Sequence, residues 1–209
     1  MDAGTILQNQ RIVPVVVLEE SAGAVDLART LYGEGIEAIE ITLRTPAALD
    51  AIEAVAASVP EMLLGAGSVR DPGQVAQALN AGARFLVSPG AAPGLLDAVD
   101  KAAAPFVPGA VTASEILALR ERGYQLVKFF PAEAAGGLEV IRALAAPLPE
   151  ARFFPTGGIT AALAEAYLAH PQVACVGGSW FVPRDALAAR DMPRIADLAR
   201  AAYALTRAP

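Results

Sequence analysis

The feature that most constrains this chain is a repeated unit: a short β-branched or leucine-rich run of strand length, followed by a stretch of helical period, recurring to the C-terminus. Residues 11–18 form the first run, unbroken and apolar in the manner of a parallel strand buried on both faces. Ser21 then stands as a cap before the helical pattern Val25, Leu27, Ala28, Leu31, which Gly33 and Gly35 close. The same reading predicts strands at 38–44, 62–69, 84–88, 106–111, 126–131, 153–155 and 173–176. Helical stretches are expected at 46–58, 72–81, 95–103, 114–122, 161–168 and 193–208, with a short N-terminal helical turn over 5–10. Eight strands thus alternate with eight helices, the one after the sixth strand without set limits.

Strict alternation through 209 residues points to one α/β domain over 1–209, a closed (β/α)₈ TIM barrel near the lower size limit. A doubly wound open sheet is the competing architecture. Such sheets bind nucleotide through a glycine-rich turn after the first strand, whereas Leu18-Glu19-Glu20-Ser21 offers acids there. A hydrophobic fraction of 55% suffices for one sizeable core.

Charge and composition remove several classes. The net charge of −6 and the lack of any basic block give a nucleic-acid partner no electrostatic footprint. No apolar run approaches the roughly 18 residues of a membrane span, and Met1-Asp2-Ala3-Gly4 lacks signal-peptide design, so a cytosolic location is expected. One cysteine, Cys175, cannot close an internal disulfide. With the single histidine, His170, it falls short of a zinc site, and no metal is expected. Cys175 reads as core filler, and His170 as a surface residue at a helix end. Trp180-Phe181 can cover a pocket or pack on a neighbouring subunit.

Against that background one side chain stands out. The chain spells nearly all its positive charge as arginine and has two lysines, Lys101 and Lys128, the second at the centre of the apolar run Leu126-Val127-Lys128-Phe129-Phe130-Pro131. Strand alternation puts Leu126, Lys128 and Phe130 on one face and Val127 and Phe129 on the other. Burying a lone ammonium favours the neutral amine, and an amine, unlike a guanidinium, forms an imine. The plainer reading is a lysine that snorkels out of a strand end.

In the second strand Ala38, Glu40, Thr42 and Arg44 alternate with Ile39, Ile41 and Leu43. The flanking helices need the apolar face, so Glu40 and Arg44 are expected inside, either as a structural pair or as a proton-transfer group and a carboxylate clamp. Lysine, acid and anion clamp together are the parts of an imine-forming lyase acting on a 2-oxo acid. Two glycine pairs follow the last two strands, Thr156-Gly157-Gly158 and Gly177-Gly178-Ser179, where barrels of this kind bind phosphate. Ser68 is expected to face inward beside Ala66 and Leu64, and Pro89, Phe130 and Thr156 to wall the pocket.

The motifs Glu40-Ile41-Thr42-Leu43-Arg44-Thr45, Gly65-Ala66-Gly67-Ser68, Ser88-Pro89-Gly90, Lys128-Phe129-Phe130-Pro131-Ala132-Glu133, Pro155-Thr156-Gly157-Gly158 and Gly177-Gly178-Ser179-Trp180 together resemble the bacterial 2-keto-3-deoxy-6-phosphogluconate (KDPG) aldolase family, in order and over nearly the whole chain. The resemblance implies a metal-free class I aldolase of the Entner–Doudoroff pathway, a homotrimer that cleaves its small-molecule substrate to pyruvate and glyceraldehyde 3-phosphate. It implies imine formation at Lys128 and proton transfer at Glu40. Arg44, with Ser68, would hold the pyruvate carboxylate, and Gly157, Gly158, Gly178 and Ser179 the phosphate. The family's usual Gly-Ala-Gly-Thr reads here with Ser68, which keeps the hydroxyl. Three rivals stay open: a 4-hydroxy-2-oxoglutarate aldolase with the same lysine chemistry, a metal-dependent sugar-phosphate epimerase, and a non-catalytic phosphate-binding barrel.

Overall fold

The computed structural model describes residues 4, 6, 7 and 9–207. The strands are β1 (Ile12–Val16), β2 (Ala38–Thr42), β3 (Leu63–Gly67), β4 (Phe85–Val87), β5 (Phe106–Val107), β6 (Leu126–Phe129), β7 (Arg152–Pro155) and β8 (Val176–Gly178). The helices between them are α1 (Ala24–Gly33), α2 (Ala48–Ser58), α3 (Pro72–Asn80), α4 (Pro93–Ala102), α5 (Ala113–Glu121), α6 (Gly137–Ala145) and α7 (Ala161–Leu168). The chain ends with α8 (Arg184–Ala188), α9 (Met192–Ala204) and a 3₁₀ turn, Leu205–Arg207.

The strands are parallel, and six of them form one curled sheet in the order β5-β4-β3-β2-β1-β8, while β6 and β7 pair separately. The ladders are therefore six plus two strands rather than one ring of eight. At one seam β5 has only two residues before Pro108, which has no N–H to donate, and the contact with β6 shrinks to the bridge Gly109↔Lys128. At the other, single bridges join Phe153 to Val173 and Thr156 to Gly177.

Two apolar clusters divide along the strand alternation. Val13, Ala38, Phe85, Val87, Val107, Leu126, Phe154 and Cys175 form a cluster on the inner, concave face. Ile39, Ile41, Val127 and Phe129 pack outward with the helices in the larger cluster. The expected faces of β2 and β6 are thus observed. In β3 the phase is the reverse of the expectation: Leu64 and Ala66 pack under the helices, and Leu63, Gly65 and Gly67 face inward. The reason is space. A Cβ on Gly65 would lie 2.2 Å from the Phe85 ring, and one on Gly67 2.0 Å from Glu40 Oε1.

Other boundaries shift for local reasons. The cap of α1 is Gly23 in the left-handed region at φ +94°, and Ser21 contributes only its carbonyl, to Ala24 N–H. The last strand starts three residues later than the expected 173–176 and ends two later, running through the glycine pair. Of the expected turn over 5–10, residues 5 and 8 lie outside the described set. Gly4, Ile6, Leu7 and Asn9 are in turns, and Gln10 N–H donates to the Leu7 carbonyl. Residue 208, the expected end of the last helix, also lies outside it. Among the described residues no helix is long and apolar enough to cross a membrane.

Candidate active site

The backbone of Lys128 is fixed on both sides. Its N–H donates to Pro108 O at 2.8 Å, its carbonyl accepts from Ala110 N at 3.0 Å, and it stands opposite Phe154 in the β6–β7 ladder. With Val127 and Phe129 packed outward, the Lys128 side chain points inward, where it is 5% exposed. Its Nζ donates to Glu40 Oε1 at 2.9 Å. Glu40 is wholly buried, and its Oε2 has no hydrogen-bond partner among the described residues. Lys128 therefore does not snorkel, nor is its ammonium alone. The pair can exchange a proton without changing the buried net charge, since transfer from Nζ to Oε1 leaves a neutral amine beside a neutral acid.

Gly67 makes room for this carboxylate, and no side chain larger than hydrogen fits there with Glu40 in place. Sequence reading missed that role; glycines at 65 and 67, two apart on a strand, are the signal that could have found it.

At the C-terminal ends of β1, β6, β7 and β8 lies a cavity of about 370 Å³. Its wall includes Phe130, Thr156, Gly157, Gly158, Gly178 and Ser179, together with Arg44 and Arg184. Lys128 and Glu40 are not themselves in that wall. Lys128 is connected to the wall through Phe130, whose ring centroid lies 5.5 Å from Nζ and which is 38% exposed.

Arg44 is in the cavity wall but not on the strand. The second strand stops at Thr42, whose hydroxyl donates to Val16 O at 3.0 Å, and Thr45 Oγ1 donates to Leu18 O at 2.5 Å. These bonds tie the turn at 43–45 to the end of β1 and leave Arg44 exposed, without an ion pair among the described residues. Strand alternation therefore does not set its direction, as had been expected.

The glycine pair after β7 is held from behind. Gly157 and Gly158 have φ +102° and +79°, and the Gly157 carbonyl accepts from Glu133 N at 3.1 Å. A Cβ on Gly158 would lie 2.8 Å from that of Glu133, and the carboxylate of Glu133 accepts from the Tyr167 hydroxyl. The Gly158 N–H donates no backbone hydrogen bond among the described residues, so it suits an anion. Thr156 Oγ1 is buried without a hydrogen-bond partner among the described residues, and a Cβ on Gly177 would stand 2.3 Å from it.

Two expected members lie elsewhere. Ser68 leaves β3 with φ +57°, half-buried and outside the cavity wall. Pro89 is exposed in a separate depression with Val69 and Arg70, because its backbone abuts Gly109, where a Cβ would meet Pro89 C at 2.3 Å. Cys175 is fully buried in the inner cluster, and burial pushes its thiol pKa up. His170 Nδ1 accepts from Gln172 N at the end of α7, and partial burial lowers its pKa. The Trp180 and Phe181 rings meet edge to face with centroids 4.9 Å apart, and both pack with the outer cluster.

Known proteins share this arrangement of the chain. The family model described as "Aldolase: KDPG and KHG aldolase" matches residues 4–198. The KHG/KDPG aldolase of Escherichia coli K12 is 46% identical over 200 residues, 96% of this chain and 94% of that protein. The 2-dehydro-3-deoxy-phosphogluconate aldolase of Zymomonas mobilis is 38% identical, covering 99% of this chain and 98% of its own. Among solved structures, KDPG aldolase from Legionella pneumophila, with pyruvate captured as a covalent carbinolamine, has a TM-score of 0.93 at 41% identity, covering 97% of this chain and 98% of that one. The chain belongs to the KDPG and KHG aldolase family.

Proposed function

We propose that the protein is a class I aldolase that cleaves 2-keto-3-deoxy-6-phosphogluconate to pyruvate and glyceraldehyde 3-phosphate through an imine at Lys128. The observation that carries this is the inward, 5% exposed amine hydrogen-bonded at 2.9 Å to a fully buried carboxylate. The family supports the substrate class, and the Legionella relative holds pyruvate as a carbinolamine.

In the proposed sequence Glu40 takes a proton from Nζ, and the neutral amine attacks the C2 ketone of the substrate. Glu40 returns the proton as the carbinolamine loses water, leaving a protonated imine. Its positive nitrogen is the electron sink for the next step. Glu40, through its free oxygen, then takes the proton of the C4 hydroxyl while the C3–C4 pair flows into the imine, giving an enamine and the free aldehyde. The protonated Glu40 returns that proton to C3, and water hydrolyses the resulting imine to pyruvate and the Lys128 ammonium. The scheme balances without a metal or redox cofactor. Arg44 would hold the substrate carboxylate, and Gly157, Gly158, Gly178 and Ser179 would line the phosphate site, with the Gly158 N–H and the Ser179 hydroxyl as donors. Phe130 and Thr156 would flank the chain between them. Ser68 and Pro89, outside the cavity wall, would touch substrate only if the mouth rearranged.

The rest of the reading is of the same standing. The bridges at both seams support a closed (β/α)₈ barrel as the working form. A homotrimer is proposed by likeness to the family, and a cytosolic setting because phosphorylated sugar acids do not cross membranes unaided. The test is pyruvate release from the phosphorylated substrate and from 4-hydroxy-2-oxoglutarate, compared by kcat/KM. Higher kcat/KM on the first supports the assignment, and activity confined to the second would replace it.

A further inference from the structure

We propose that Arg184 is a specificity-determining residue of the cavity, a guanidinium that recognises the phosphate end of the substrate and so separates phosphorylated from unphosphorylated 2-oxo acids. The inference rests on the proposed aldolase reading for the identity of the substrate, but its geometry is independent of it. Arg184 opens the short helix α8, four residues beyond Trp180, and the segment between folds back so that Arg184 shares the cavity wall with Gly157, Gly158, Gly178 and Ser179.

Two observations make it more than a surface cation. Among the described residues the wall of this cavity carries two charged side chains, Arg44 and Arg184, and no carboxylate, within a protein of net charge −6. Arg120, Arg122, Arg142, Arg190, Arg194 and Arg200 sit in ion pairs, whereas Arg29, Arg70, Arg84 and Arg152 have none among the described residues but lie outside this cavity wall. Arg184 has none among the described residues, although acids are close. Its neighbour Asp185 is taken by Arg194 at 2.8 Å, and Glu20 stands 3.9 Å from Arg190. Arg184 also borders a second cavity that Glu19 and Glu20 line, so those acids are its competitors for the guanidinium.

The chemistry follows from the two ends of the cavity. A phosphate monoester carries roughly −1.5 to −2 charges at neutral pH, more than glycine N–H groups neutralise, and a guanidinium binds its oxygens bidentately. In 4-hydroxy-2-oxoglutarate the second carboxylate sits directly on C4, beside the bond that breaks, and does not extend to the far wall. Arg184 therefore acts on one substrate and hardly on the other.

The experiment compares wild type, Arg184→Ala and Arg184→Lys on both substrates, and titrates each with inorganic phosphate by calorimetry. Arg184→Ala is expected to lower the ratio of kcat/KM for phosphorylated over unphosphorylated substrate by about tenfold, mainly through KM, as loss of one charge-assisted hydrogen bond requires. Arg184→Lys should recover part of it, and phosphate affinity should fall in the same order. An unchanged ratio and unchanged phosphate affinity in Arg184→Ala would overturn the role of Arg184 while leaving the aldolase reading intact. A wild type that releases no pyruvate from the phosphorylated substrate would overturn the aldolase reading instead, and the phosphate titration would still decide on Arg184.

Discussion

Lys128 Nζ lies 2.9 Å from Glu40 Oε1, two groups 88 residues apart in the chain that meet on the inner face of the sheet with 5% and 0% of their surface exposed. A buried pair of this kind is far more sensitive to loss of one member than to loss of both. Glu40→Ala, which strands the Lys128 ammonium, is expected to destabilise the fold by about 3–5 kcal/mol. Glu40→Gln keeps an oxygen acceptor and should cost less. Both should lower kcat by about 10²- to 10⁴-fold if Glu40 moves protons. Urea unfolding and steady-state kinetics on the two variants check this, and near-normal turnover in Glu40→Gln would assign the carboxylate a structural part only.

Gly67 offers a way to disturb the carboxylate without touching either charged residue. A methyl group there would sit 2.0 Å from Glu40 Oε1 and 2.6 Å from its Cδ, so the acid must move away from Lys128. Gly67→Ala should cost roughly 1–3 kcal/mol as overpacking, and should lower kcat more than it raises KM. A variant with wild-type kcat would show that the 2.9 Å contact is dispensable for turnover.

Gly158 joins backbone conformation to the far end of the cavity. At φ +79°, with Glu133 Cβ 2.8 Å from the place a side chain would take, Gly158→Ala is strained twice over. KM for the phosphorylated substrate should rise severalfold, with a smaller effect on the unphosphorylated one. Equal changes for both substrates would mean that this turn does not hold the phosphate.

The helix α5 supplies a pH test. Hydrogen bonds from the backbone N–H of Val111, then of Thr112 and its hydroxyl, hold the Glu115 carboxyl below its ordinary 4.5 despite partial burial, and Glu115 closes a capping box with Thr112. Because the folded value is the lower one, the stabilisation is present above pH 4.5 and is lost as pH falls through the depressed value. The gap in urea midpoint between wild type and Glu115→Gln should therefore be widest near neutrality and narrow in acid. A gap that stays constant would remove Glu115 from the acid sensitivity of the fold.

Much of this was legible in the chain itself, for identifiable reasons. The faces of β2 and β6 follow from period-2 alternation, because Ile39, Ile41, Val127 and Phe129 are large apolar groups that the helices must cover. Alternation fails where side chains vanish or the strand ends. In β3 glycine is the inward residue, so the apolar pattern alone pointed the wrong way. At Arg44 the strand had already stopped, and hydroxyl-to-carbonyl bonds from Thr42 and Thr45 placed the turn instead. The last strand runs into Gly177-Gly178, a pair that reads as a turn, because Gly177 leaves room for Thr156 Oγ1. Helix α6 had been given no limits, since it starts at two glycines of positive φ, and α8 is too short for a helical period to register.

The most direct measurement is borohydride reduction in the presence of pyruvate, followed by peptide mass analysis. An imine at the buried amine should be trapped as a stable lactyl-sized addition on the peptide containing Lys128, with Lys101 unmodified and Lys128→Arg showing no addition. A Lys128 peptide that stays unmodified while wild type is releasing pyruvate would contradict the imine mechanism.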